Sequence, residues 1–373
     1  MIFTINVPRL SAIFQTAAKS TGDGTNSLLS ELLLKLRDGR LLVSATDGAT
    51  TVTFREAVDR AEGQGAICLP AKHLVDSFKE FKDIQRGMTL ETNADGTFAC
   101  IDWGAGECSL PVTDAAEWPA PRKPVKDVAT TVVLPAATLL EAIDAVFFAA
   151  EDNGDHPMIN ALRLDVGPDG MAVAATNLAL IAVYNCDVSA PSAATVAIPL
   201  KACLLLRLLL KDAAGDARLE FDDKSVTVVC GDVRLATYAV QNFPDYRKIM
   251  GREPGGKTLS LPRGDMLSCI KRVHVLSGRA DDNITLCLSQ GKVRVTSRTK
   301  IKKASVDETL AAGYDHEDLT ISFKESLLED VLKHAPYESL RFLLGNAQYP
   351  CFIGDVAGDT KVRYMMSPTL QAA

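Results

Sequence analysis

Residues 251–258, GREPGGKT, match the phosphate-loop spacing Gly-x4-Gly-Lys-Thr, in which backbone amides and a lysine cradle nucleotide phosphates. Used that way, Lys257 and Thr258 would make the chain a P-loop nucleotide hydrolase. The chemistry needs a buried strand before the loop and a helix after it, with the helix amino end on the anion. Here Asn242-Phe243-Pro244-Asp245-Tyr246-Arg247-Lys248 reads as a turn and Leu259-Ser260-Leu261-Pro262 as a strand, which leaves the motif inside a linker. The five histidines, at 73, 156, 274, 316 and 334, lack His-x3-His spacing and a nearby carboxylate cluster, so no metal is expected. Gly104-Ala105-Gly106 and Gly22-Asp23-Gly24 read as hairpin glycines, without the third glycine and following helix of a dinucleotide fingerprint. Nine cysteines without a Cys-x-x-Cys pair, most of them in apolar runs, read as reduced, buried thiols. No nucleophile, acid–base pair or cofactor site emerges, and the chain reads as a non-enzyme.

The elements that carry these residues belong to a chain of 373 residues, long enough for two or three domains. With 47% hydrophobic and 23% charged residues it has the make-up of packed soluble domains. A net charge of -7 excludes a uniformly basic nucleic-acid coat but not a local basic surface. The longest apolar runs, 145–150 and 204–210, fall far short of the ~20 residues of a membrane span. The first eight residues, MIFTINVP, alternate like a strand and lack a signal peptide's charged lead and apolar core, so a cytoplasmic location is expected.

The chain repeats itself three times, the first thing to look for in a long sequence. Residues 41–47 (LLVSATD), 171–177 (MAVAATN) and 293–299 (VRVTSRT) form one ordered set; 68–72 (CLPAK), 197–201 (AIPLK) and 320–324 (TISFK) form a second. A third set, 3–8 (FTINVP), 131–135 (TVVLP) and 258–262 (TLSLP), opens each unit, with proline placed between strand and helix, where a missing amide proton matters least. Each unit therefore reads as strand, helix, two strands, a second helix, then closing strands. The Pro- and Gly-rich segments 119–124 and 246–256 read as linkers. Domains at 1–122, 127–248 and 257–373 follow. The expected helices, 8–20, 72–83, 136–150, 201–211, 263–276 and 324–334, are together net positive in an acidic chain. Lys19, Lys72, Lys79, Lys201, Arg207, Lys211, Lys271 and Arg272 are the cations placed on them.

The triplicate layout, the Asn242-to-Lys248 segment with its intact Phe243-Pro244-Asp245-Tyr246, and the turns Ala45-Thr46-Asp47-Gly48 and Ala174-Ala175-Thr176-Asn177 resemble the bacterial β sliding clamp family, the processivity subunits of DNA polymerase III. The resemblance covers essentially the whole chain. It implies an α+β DNA-clamp fold: three similar domains, each with two helices packed on antiparallel sheets, in a head-to-tail homodimer ring. The helices and the eight cations would face enclosed duplex DNA, held in any sequence by topology. DNA polymerase III's catalytic subunit, the clamp loader, other polymerases and repair proteins would dock short peptides in an apolar cleft. That cleft would use Ile159, Thr176, Ala179, Ile181, Pro244, Lys248, Ile249, Leu327, Cys351, Met365, Met366 and Pro368. Ring closure would pair Cys108 and Leu110 of one subunit with Val275 and Leu276 of the partner subunit. The family's Asp-Gly-His-Arg-Leu becomes Asn177-Leu178-Ala179-Leu180-Ile181, and its Met-Pro-Met-Arg-Leu ending becomes Ser367-Pro368-Thr369-Leu370 before a final Gln-Ala-Ala. Both departures fall on the expected cleft, as in a specialised or second-copy clamp. A repeat scaffold unrelated to DNA is the remaining alternative.

Overall fold

The computed structural model describes residues 1–22, 28–81, 84, 87–120, 130–152, 156–277, 283–297 and 306–369. Asp23, Gly24, residues 121–124, Arg298, Thr299 and residues 370–373 lie outside the described residues, and with them part of the first linker, one repeat segment and the chain end. The helices are α1 (Val7–Ala17), α2 (Ala71–Glu80), α3 (Ala136–Val146), α4 (Leu200–Leu210), α5 (Tyr246–Met250), α6 (Arg263–Leu276) and α7 (Glu325–His334). All but α5 follow a strand directly. Pro70 and Pro262 close such strands with φ near -60° and ψ above 110°, the extended geometry a proline prefers. In α1 the proline is inside the first turn instead, and the Asn6 carboxamide accepts the Arg9 N–H at 3.3 Å as the cap.

Four strands, not two, precede the second helix of each repeat. In the first they are Glu31–Arg37, Arg40–Thr46, Thr51–Ala57 and Gly65–Pro70, apart from the short Arg60–Glu62. The first division is marked in the sequence by Arg37-Asp38-Gly39-Arg40, where Asp38 and Gly39, at φ +51° and +71°, reverse the chain in two residues, the Asp-Gly signature of a tight hairpin. The linker expected from Tyr246 is also corrected. Its first five residues form α5, whose Tyr246 is buried in an apolar cluster.

The chain divides into two compact units, 1–140 with 201–239 and 141–200 with 240–373, a different division from the three sequence repeats. The first unit holds a five-stranded and a nine-stranded antiparallel sheet. In the nine-stranded sheet Thr51–Ala57 of the first repeat pairs with Val233–Tyr238 of the second, Val52 opposite Leu235, both buried. The hydroxyls of Thr50 and Thr237 meet at 2.9 Å beside this seam. Below, Phe14 of α1 meets Phe78 of α2 edge-on, ring centroids 4.9 Å apart. The second unit holds an eight-stranded and a four-stranded sheet. Its seam pairs Leu180–Cys186 of the second repeat with Val362–Met366 of the third. Here α6 and α7 bury Met266, Ile270 and Val273 with Leu328, Val331 and Leu332.

All nine cysteines are free thiols, but only Cys68, Cys203, Cys269 and Cys351 are buried. The other five sit on strands where one face or an edge meets solvent, so burial as a class was overstated. No described helix is long and apolar enough to cross a membrane.

Leu235→Ala should lower stability by about 2–5 kcal/mol, since it opens a cavity at the first seam, whereas Val133→Ala, on an exposed side chain, should stay within about 0.5 kcal/mol. Denaturant titration checks both.

Candidate functional site

Two turns, at equivalent places in the first and second repeats, are built alike. In the first, the Thr46 hydroxyl donates to the Thr50 carbonyl at 3.0 Å and accepts the Gly48 N–H at 3.1 Å. One Asp47 carboxylate oxygen accepts the Ala49 and Thr50 N–H groups at 2.9 and 2.7 Å. In the second, Thr176 donates to Leu180 at 2.8 Å and accepts from Leu178 at 3.0 Å, while the Asn177 carbonyl oxygen accepts from Ala179 and Leu180 at 3.1 and 2.8 Å. Two differences separate them. Asp47 receives Lys201 at 2.5 Å; burial pushes its carboxyl up, but Lys201 and the two amides outweigh this and hold it below its ordinary value. Asn177 is neutral. Further, the left-handed position is Gly48 at φ +87° in the first turn and Leu178 at φ +72° in the second. A side chain with a Cβ pays roughly 1–2 kcal/mol for that conformation, and Leu178 is 59% exposed.

From the second turn, strands run into the seam of the eight-stranded sheet. Thr176 lies opposite Ile181, Ile181 opposite Met365, and Met365 opposite Phe352. Directly opposed residues point to the same face, so these four form one row. The row lies in an apolar cluster with Ala174, Val183, Phe243 and Tyr246, and Val240, Met250 and Leu343 pack at its margin. The turn is tied down by the Ser367 N–H, which donates to the Ala179 carbonyl at 2.8 Å.

The segment 243–250 covers this face and is held by one buried carboxylate. Asp165 accepts the Tyr246 hydroxyl at 2.8 Å and the Arg163 guanidinium at 2.8 Å, and pairs with Arg247 at 3.2 Å. Burial, then the Asp165 charge, pushes the Tyr246 hydroxyl up to about 12. At the outer lip Pro244 is half-buried, Lys248 is exposed and paired with Asp245 at 3.3 Å, and Ile249 is 39% exposed. Ile159 is buried in the turn just before the strand Ala161–Gly167, but it is not a member of the cluster. Leu327 and Pro368 are half-buried; the residue after Pro368, Thr369, donates its N–H to Ser322 at 2.8 Å.

The structure does not bring the whole expected set together. Met366 and Cys351 are opposed to each other and to Leu180, in the neighbouring row. The pleat turns that row to the other face of the sheet, and both side chains are fully buried there. Burial pushes the Cys351 thiol well up. Sequence reasoning also missed Phe352 and Asp165, and it used Phe243 and Tyr246 only as part of the Phe-Pro-Asp-Tyr motif, not as residues of the site. Only the Arg163-x-Asp165 spacing, two residues apart on one strand face, offered a signal for the last.

Of the eight helix cations, all but the half-buried Arg207 are exposed. Lys79 pairs with Asp76 at 3.1 Å, Lys201 with Asp47, and Arg272 with both oxygens of Glu308, one at 2.9 Å. Lys19, Lys72, Lys211 and Lys271 have no ion-pair partner among the described residues, so the expected lining of eight contains four unpaired lysines. In the first unit Glu107–Pro111 is the edge strand of the five-stranded sheet, with Cys108 and Leu110 half-buried. In the second, α6 ends on Val275 and Leu276, each 65% exposed.

The phosphate-loop reading is overturned by local structure. Lys257–Pro262 is a strand, so residues 251–256 lead into a strand and not a helix, and Lys257 pairs with Glu317 at 3.5 Å.

Three family models of the DNA polymerase III beta subunit match the chain in order: the N-terminal domain over residues 1–121, the central domain over 133–245 and the C-terminal domain over 254–369. The beta sliding clamp of Escherichia coli K12 is 23% identical over 370 residues, 98% of this chain and 99% of the relative. That of Synechococcus elongatus is 26% identical over 352 residues, 91% of each. Among solved structures, the DNA polymerase III beta subunits of Pseudomonas aeruginosa and Thermotoga maritima superpose over 100% of both chains, with TM-scores of 0.92 and 0.90 at 22% and 20% identity.

Asp165→Ala should destabilise the second unit by about 3–5 kcal/mol, because it strands buried donors and the Arg163 charge; thermal unfolding measures this. Tyr246 holds its proton to about 12 when folded against 10.0 when free, so its contribution is whole below pH 10 and lost as pH rises toward 12. Tyr246→Phe should therefore flatten the fall in stability between those pH values in an alkaline denaturation series.

Proposed function

Since this chain belongs to the DNA polymerase III beta subunit family, whose three domain models span nearly its whole length, we propose that two copies close head-to-tail into a ring around duplex DNA. It is a sliding clamp and not an enzyme: it tethers DNA polymerase for processive synthesis. The ordered match of all three domain models carries this reading. Domains at 1–122, 127–248 and 257–373 would each supply two helices to the hole, in a protein working in the cytoplasm.

The charge pattern supports a loose grip. An acidic chain with four lysines on or just beyond its helices, unpaired among the described residues, would meet phosphates of any sequence through few, salt-sensitive contacts, each releasing about one counterion. Enclosure keeps the ring on the duplex, and few contacts let it move.

Partners, among them the catalytic subunit of DNA polymerase III, other polymerases, repair proteins and an ATP-driven clamp loader, would insert short peptides at the second-repeat turn. The floor would be Thr176, Ala179, Ile181 and Met365, the lip Pro244, Lys248 and Ile249, with Ile159, Leu327 and Pro368 at the margins. An apolar cleft with a few polar groups at its rim suits a peptide anchor.

Ring closure would use the edge strand bearing Cys108 and Leu110, and Val275 and Leu276 of the partner subunit. Exposed apolar side chains at a helix end beside an unpaired strand edge are what a head-to-tail contact covers. Changing Val275 and Leu276 together to Asp should halve the particle mass seen by light scattering; a variant that keeps the wild-type mass would place the interface elsewhere.

A further inference from the structure

We propose that Asp47 tempers the hold of this protein on duplex DNA, by keeping Lys201 on the exposed face of α4 from contacting a phosphate. This rests on the reading above of the helix cations as the DNA-facing set, and adds to it a residue that sets the strength of the grip. The repeat supplies an internal control for each member of the pair. A lysine recurs at 72, 201 and 324, each at the start of the second helix of its repeat. Among the described residues Lys72 and Lys324 have no ion-pair partner, whereas Lys201 is held by the Asp47 carboxylate at 2.5 Å.

The turn at Asp47 does not require the charge that does this. Asn177, at the equivalent place in the second turn, accepts the same pair of N–H groups at 3.1 and 2.8 Å, against 2.9 and 2.7 Å for Asp47. A carboxylate costs more than an amide to take out of water, and the Asp47 side chain is only 11% exposed. Lys201, and not the turn, accounts for its charge. Nor does the pair add much to the fold, because Lys201 is 65% exposed and solvent screens the attraction. What the pair does change is the charge that α4 offers. The exposed positions between Lys201 and Lys211 include Leu204 and Leu208. With Lys201 held, Lys211 is the one lysine of this face left unpaired among the described residues.

The test measures the affinity of the full-length protein for a fluorescein-labelled linear duplex by anisotropy, between about 50 and 200 mM salt. The wild type is compared with Asp47→Asn, with Asp47→Asn combined with Lys201→Gln, and with Lys72→Gln, alongside thermal unfolding of each. Each phosphate contact adds about 0.9 to the slope of log affinity against log salt. Asp47→Asn is expected to steepen the slope by that amount, so that its affinity relative to the wild type grows about 3.5-fold from the highest salt to the lowest. Adding Lys201→Gln should return the slope to the wild-type value, a reversal that a merely structural ion pair would not give. Lys72→Gln should flatten it. Asp47→Asn should melt within about 3 °C of the wild type; a larger fall would mean that the charge serves the fold, against the proposal. A wild-type slope in Asp47→Asn beside a flattened one in Lys72→Gln would overturn the role of Asp47, as would a steepened slope that Lys201→Gln leaves in place, and either result would keep the helix cations on DNA. Wild-type slopes in all three variants, or no binding of the duplex, would instead overturn the DNA-facing reading itself.

Discussion

A β-sheet edge left open presents a row of unpaired amides and carbonyls, and this molecule resolves that constraint by pairing one repeat with the next. Val52 opposite Leu235 and Ile181 opposite Met365 mark the two seams. Each seam joins strands far apart in sequence, so the second repeat is divided between the two compact units. The site follows from the second seam. The row Thr176, Ile181, Met365 and Phe352 exists only because strands of the second and third repeats run side by side. Residues 243–250 can cover it only because Asp165 holds Tyr246 and Arg247 against the sheet.

The repeat order, six of the helices and the non-catalytic clamp family were legible in the sequence, since they rest on local signals: prolines at strand ends, helical spacing of leucines, and short motifs in fixed order. The full strand count of each repeat was not read, although Arg37-Asp38-Gly39-Arg40 carries the Asp-Gly signature of a hairpin between two of these strands. Helix α5 was hidden for another reason. Its short polar sequence reads as linker, and only the distant Asp165 gives Tyr246 a reason to be buried.

Side-chain parity across the seam was the part least accessible. Met365 and Met366 are consecutive, and nothing in the sequence says which shares a face with Ile181 and Phe352; the register puts Met365 on that face and sends Met366 to the opposite core with Cys351. Charge use was equally hidden. Lys201 and Arg272 look like free cations in the sequence, yet the fold brings Asp47 and Glu308 to them. The surface that remains is weakly cationic on the helices of an acidic chain, the balance that suits enclosure of a polyanion without tight adhesion to it.

Topological enclosure is the claim on which the functional account turns, and the most direct measurement loads the protein, with the clamp loader proposed as its partner, onto nicked circular duplex DNA, then linearises the circle with a restriction enzyme. At a salt concentration that screens phosphate contacts, the account predicts protein retained on the intact circle and released once the DNA has ends. Equal retention on circular and linear molecules would contradict it.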